Sequence, residues 1–272
     1  VLELDPYNAD AWFNRGVVLT RMAHYTEALS SYDFALAIDQ SHIAALYNKG
    51  NVLSLLGKLE AAIECYREAI GYDRNDAALW HNLGSVYGEL GRYTEAIDAF
   101  TEAIRLNPRH FEAYFGRGTC YDALEYYYQA LSDYDAALEI QPAYPELWYA
   151  RADVLMQLEL YDNALESYRT ALDLNSKNAE CWYDYAIALL YVRRYEDAVT
   201  ALFRAAELSP TWADPYFALV KAYLLLSNVP AAHRALQRAL ELNPERRGAF
   251  EAELLALLPA PLAQVLNVQL NS

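Results

Sequence analysis

The chain has 272 residues, of which 37 are acidic and 21 basic, for a formal charge of −16. Nucleic-acid binding relies on Lys and Arg displacing counterions from phosphate, so this balance argues against nucleic acids and anionic membrane surfaces as partners and favours basic or neutral ones. Hydrophobic residues make up 55%, yet no stretch reaches the roughly 18–20 unbroken apolar residues of a membrane span, and the opening residues show no basic, apolar leader.

Residues 1–8, VLELDPYN, copy the end of a unit that recurs as AIRLNPRH at 103–110 and ALELNPER at 239–246. They are expected to be the end of a preceding, truncated repeat. From Ala9 the chain falls into seven gapless segments of 34 residues: 9–42, 43–76, 77–110, 111–144, 145–178, 179–212 and 213–246. Numbering positions 1–34 within each segment, position 4 is Trp12, Leu46, Trp80, Tyr114, Trp148, Trp182 and Tyr216. Position 8 runs Gly16, Gly50, Gly84, Gly118, Ala152, Ala186, Val220, and positions 20 and 27 are alanine in every segment. Position 24 is large: Tyr32, Tyr66, Phe100, Tyr134, Tyr168, Leu202, Leu236. Position 32 is proline four times, at Pro108, Pro142, Pro210 and Pro244. Residues 247–272 open with a further in-phase apolar run, Phe250, Leu254 and Leu257, then two prolines and an apolar tail, read as a capping helix and tail.

Positions 4, 8 and 11, and again 20, 24 and 27, share a helical face because residues three, four and seven apart stack. Small residues at 8, 20 and 27 let two helices approach, and the large residues at 4 and 24 fill the space beside them. Proline lacks the N–H that would continue a helix. Each segment therefore predicts two antiparallel helices, over positions 2–14 (10–22 in the first) and 18–31 (26–39 in the first). Position 7 is often basic (Arg15, Lys49, Arg117, Arg151), which predicts a stem laid on the core with its head in water.

Seven in-phase copies of this pattern resemble the tetratricopeptide repeat family over 238 of the 272 residues. The resemblance implies an all-α, right-handed superhelical solenoid of antiparallel helix pairs whose first helices line a concave groove at positions 2, 5, 6, 9, 12 and 13. It also implies a non-catalytic scaffold or adaptor that binds a protein or peptide segment there.

Along that implied groove, position 5 is aromatic throughout: Phe13, Tyr47, His81, Phe115, Tyr149, Tyr183, Phe217. These rings read either as packing between neighbouring repeats or as a ladder of flat apolar surfaces. Asn14, Asn48 and Asn82 occupy position 6 in the first three segments, where an amide can pair with any peptide bond. They resemble the asparagine ladder of O-linked N-acetylglucosamine transferase. Further along, the implied groove turns acidic, with Glu112, Asp122, Glu146, Asp153, Glu180 and Asp184, which reads either as a solvated surface in an acidic chain or as a site for basic or apolar segments. Chaperone-binding members use a Lys at position 5 and Asn at position 9 for a terminal carboxylate. Here only Asn51 matches, beneath Tyr47, so that partner class is not expected.

Chemistry is sparse elsewhere. Cys65, Cys120 and Cys181 have neither disulfide nor zinc spacing and read as small apolar filler. Reduced thiols fit a cytoplasmic location. The histidines show no metal spacing, and His24, His42 and His110 fall at turns or repeat ends, where a solvated role is expected. No phosphate-binding loop or paired acid–base set stands out, so no enzyme activity, metal or cofactor is expected. Two alternatives are a substrate-recruiting arm of a larger enzyme, such as a glycosyltransferase, and self-association through the ends or the tail.

Overall fold

A computed structural model describes residues 6–250. Among them run fourteen α-helices: α1 (Ala9–Arg21), α2 (Tyr25–Ile38), α3 (Ile43–Leu55), α4 (Leu59–Tyr72), α5 (Ala77–Glu89), α6 (Tyr93–Leu106), α7 (Phe111–Ala123), α8 (Tyr127–Ile140), α9 (Pro145–Gln157), α10 (Tyr161–Leu174), α11 (Ala179–Tyr191), α12 (Tyr195–Leu208), α13 (Asp214–Leu225) and α14 (Val229–Leu242). A turn of 3-10 helix, Pro244–Arg246, follows. Most of the cap and tail expected over 247–272, and most of the remnant at 1–8, lie outside the described residues.

The helices begin and end about one residue earlier than the hydrophobic pattern alone predicts. The cause is capping. Asn8, Asp76 and Asn178, each the last residue before a first helix, accept backbone N–H bonds from Ala11 (2.8 Å), Ala78 (2.8 Å) and Cys181 (3.0 Å). This satisfies donors that a helix start leaves open and sets the first helical residue at position 1.

The turn between the two helices of each segment is built the same way. Position 15 takes a left-handed conformation at Ala23, Gly57, Gly91, Glu125, Glu159, Arg193 and Ser227. In the first, Ala23 N–H reaches Thr20 O at 3.0 Å and His24 N–H reaches Leu19 O at 2.9 Å, the paired bonds of a Schellman cap. Only two of the seven residues are glycine, so five turns hold a side chain where L-residues are strained.

The chain divides into two compact units, Val1–Pro142 and Ala143–Ser272. In the first, α1–α8 pack as successive pairs, each second helix also touching the next first helix. A Cβ on Gly50 would lie 2.7 Å from the Tyr66 ring, and one on Gly118 2.7 Å from that of Tyr134. The absent side chains are what let α3 meet α4 and α7 meet α8 across a full tyrosine. The ring of Phe100 likewise fills the room left by Gly84 and Gly116.

The basic residues of position 7 reach polar groups on the second helices. Arg15 donates to Ser31 at 2.6 Å, Lys49 pairs with Asp33 at 2.7 Å, and Arg117 grips buried Asp133 through two bonds of 2.7 and 2.8 Å. Arg117 also donates to Thr101 Oγ1 on the preceding second helix at 3.0 Å. The expected wet head holds for Arg15, which is exposed, and gives way at Arg117, because buried Asp133 would be costly to leave alone.

In the second unit, α9–α14 follow the same pairing. Position 8 is now Ala152, Ala186 and Val220, all buried, and its partners are Tyr168, Leu202 and Leu236. Leucine replaces tyrosine at position 24 beside Ala186 and Val220, whereas Ala152 keeps Tyr168. Phe250 is buried and its ring lies 4.6 Å from Phe217, so the first apolar residue expected of the cap does pack on α13. The three cysteines are buried and unpaired. Burial, with a smaller contribution from Asp153 and Asp184, pushes the Cys181 thiol up to about 12, so it stays a protonated apolar filler.

Candidate functional site

The position-5 rings are packing elements first. In the first unit, Phe13 leans on Tyr32 (6.2 Å between ring centres) and His42 (4.9 Å). Tyr47 meets Tyr66 edge-on at 6.4 Å, His81 stacks on His110 at 4.7 Å, and Phe115 tilts against Tyr134 at 5.9 Å. In the second unit Tyr149 lies 6.0 Å from Tyr168 and Tyr183 lies 4.9 Å from Trp212. Each ring thus sits over the large residue of its own second helix, the residue that precedes the next first helix, or both. His42 and His110 are those preceding residues. Their side chains are only 13% and 16% exposed, which overturns the expectation of solvated histidines. His24, half exposed beside Glu27, does face solvent.

The amides of the first unit split into two groups. Asn14 is exposed. Asn48 donates its side-chain amide to Ala44 O at 2.8 Å. Asn51 and Asn82 instead bond to each other: Asn82 Nδ2 donates to Asn51 Oδ1 at 2.9 Å, and the Tyr66 hydroxyl donates to the same oxygen at 2.6 Å. His81 Nδ1 lies 3.1 Å from Asn82 Oδ1. Burial, then the neighbouring His110, holds the His81 ring below the ordinary histidine range.

The second unit places acids at the same repeat positions. Tyr168 donates to Asp153 at 2.6 Å, and Tyr149 donates to Asp184 at 2.6 Å. Both phenols are pushed far above their usual range by burial and by the adjacent carboxylates. Asp184 is held above the usual carboxylate range. Burial raises it most, the Tyr149 bond lowers it, and Glu180 adds a further upward push.

These residues open onto a recess of about 550 Å³ lined by Asp153, Met156, Gln157, Glu159, Tyr161, Tyr168, Asp184, Ile187 and Tyr191. Tyr161 and Tyr191 stack face to face along it, 4.8 Å apart and 11° from parallel. Asp153 and Asp184 are the groove candidates among its lining; Tyr168 reads in sequence only as a large position-24 residue, and Tyr191 and Met156 carry no sequence assignment. Tyr191 and Met156 stand at implied groove positions 13 and 12, so the signal was present in the frame. In the first unit, Glu112 is exposed, 3.0 Å from His110, and burial raises Asp122. Among the described residues no set of three His, Cys, Asp or Glu side chains gathers as a metal site, and no helix is long and apolar enough to cross a membrane.

Repeated helix pairs with capped starts, left-handed turns and a polar face built from first helices define an α-helical repeat protein. Family models described as "TPR repeat" match residues 50–91, and models described as "Tetratricopeptide repeat" match residues 1–30, 81–145 and 149–213. The chain belongs to the tetratricopeptide repeat family, whose members are in general protein-interaction scaffolds. Among solved structures it resembles YrrB, described as a TPR protein with an unusual peptide-binding site, at 24% identity and a TM-score of 0.65 over 71% of this chain and all of that one. It also resembles PilF of Pseudomonas aeruginosa at 22% identity and a TM-score of 0.65, covering 74% of this chain and 92% of that one. MamA matches at 23% identity and a TM-score of 0.59, covering 63% and 94%. These likenesses show the fold. A search of curated proteins found no match.

Proposed function

We propose that the chain is a non-catalytic scaffold that binds a segment of a partner protein against its first helices. The observation that carries this reading is the recess between α9, α10 and α11. It combines a wall of tyrosine and methionine with carboxylates at hydrogen-bonding distance of fixed phenols. Such a surface offers contact area at low side-chain entropy cost, with a few oriented polar groups to set register. YrrB, similar in fold, is described as having a peptide-binding site, which fits the same reading. The exposed amide of Asn14 and the carbonyl of Asn48 would serve the first unit in the same way. Asn51 and Asn82, already bonded to one another, would act as support.

The test is selection from a random peptide library displayed on phage, followed by cross-linking mass spectrometry of the bound peptides. Links to α9 and α11, near Gln157 and Tyr191, are the expected result. Links confined to α12 and α14, or to the ends of the chain, would overturn the reading.

A further inference from the structure

The two units build one constellation with different atoms. Asn51 and Asp153 share position 9, Asn82 and Asp184 share position 6 of the following repeat, and Tyr66 and Tyr168 share position 24. In the first unit the constellation closes on itself. An amide both donates and accepts, so Asn82 bonds directly to Asn51 and nothing further is required. Two carboxylates cannot do this, because each only accepts. Asp153 takes its proton donor from Tyr168, and Asp184 takes its own from Tyr149. Burial and the negative charge of Glu180 raise Asp184, and the bond from the Tyr149 phenol lowers it. The side that stays open is the recess, walled by the stacked Tyr161 and Tyr191.

We propose that this recess takes the guanidinium of an arginine from the bound segment, placed between Asp153 and Asp184 with its plane against Tyr191. This rests on the reading that a partner segment lies along the first helices, and it names the side chain that would anchor it. A guanidinium fits better than an ammonium. Its planar fork supplies several fixed N–H donors to two separate carboxylates and stacks on aromatic faces. It supplies the donors that the amide of Asn82 supplies in the first unit, and its charge is complementary to the two carboxylates.

The test uses the full chain, isotope-labelled for NMR, and two blocked peptides, Ala-Ala-Arg-Ala-Ala and its citrulline counterpart, which has the same shape without the charge. The expected result is saturable shifts in α9 and α11 with the arginine peptide, weaker by roughly tenfold or more with citrulline. The double variant Asp153→Asn/Asp184→Asn keeps acceptors for both tyrosines and copies the self-closing chemistry of the first unit. It should retain or raise the melting temperature and lose the arginine preference. Equal binding of both peptides by the wild type, or an unchanged arginine preference in the folded double variant, overturns the proposal. If both peptides shift α9 and α11 alike, the segment-binding reading survives and only the anchor falls. If neither peptide shifts those helices while library-selected peptides cross-link there, the anchor again falls alone. If selected peptides also link elsewhere, both readings fall.

Discussion

A Cβ on Gly16 would sit 2.5 Å from a ring carbon of Tyr32, whose side chain is fully buried between α1 and α2. The tyrosine is held further by the Thr20 hydroxyl, 2.9 Å from its own. Gly16→Ala gains up to about 1 kcal/mol in helix propensity but forces a close-packed ring aside, which typically costs about 1–3 kcal/mol. The net expectation is a loss of about 1 kcal/mol by denaturant unfolding. In a Tyr32→Leu background, which copies the Ala186/Leu202 pair of the second unit, the same alanine should cost at least about 1 kcal/mol less. A double-mutant cycle with no coupling would refute this account of position 8.

Glu125 holds a left-handed turn at φ 61° that Gly91 holds one repeat earlier at φ 71°. Left-handed backbone costs an L-residue roughly 1–2 kcal/mol more than glycine, partly offset by the greater unfolded-state freedom of glycine. Glu125→Gly should therefore raise stability by about 0.5–1 kcal/mol, and Gly91→Ala should lower it by a similar amount. Thermal melts of the two variants read both signs.

Asp133 is buried, and Arg117 is its bidentate partner. Arg117→Ala would leave that carboxylate without its cation inside the stack, and breaking such a pair costs about 3–5 kcal/mol. Replacing both, as Arg117→Met/Asp133→Leu, should recover most of the loss. Because Arg117 serves the packing of α7 on α6 and α8, neither change should alter peptide binding in the second unit. Loss of that binding in the stable double variant would show that position 7 reaches the ligand after all.

His81 and His110 stack at 4.7 Å, with Phe100 beside His81 and with Asn82 and Glu112 as the polar groups facing it. Burial, then His110, lowers the folded-state pKa of His81 below its unfolded value. As pH falls below about 6.5, the unfolded chain takes up this proton first. The contribution of His81 is thus fully present above that pH and fades through the window beneath it. Asp122 and Asp184, raised by burial, carry the opposite sign: their folded forms bind a proton first, so acidification through their raised values restores stability. Urea midpoints taken between about pH 7.5 and about pH 5.5 should decline for the wild type, and the decline should be shallower for His81→Phe. Parallel slopes would show that the stack does not titrate as described.

Much of this molecule is legible one residue at a time because the repeat is local. Alanine at positions 20 and 27, the large residue at 24 and the glycine or alanine at 8 each recur every 34 residues. Period and phase alone therefore place fourteen helices to within about a residue, since the contacts they encode lie within one pair or between neighbours. The misreadings come where a side chain has two possible neighbours and the period does not choose. His42 and His110 look like turn residues, yet the following helix folds each of them over the position-5 ring of its own repeat. Arg117 looks like a surface arginine until α8 presents Asp133 to it. The sequence by itself determined the repeat, its helices, its cores and the acidic character of Asp153 and Asp184. Only the tertiary structure decided that Asn51 and Asn82 close on each other while the two aspartates, each able only to accept, turn to separate tyrosines and leave a charged recess open between α9 and α11.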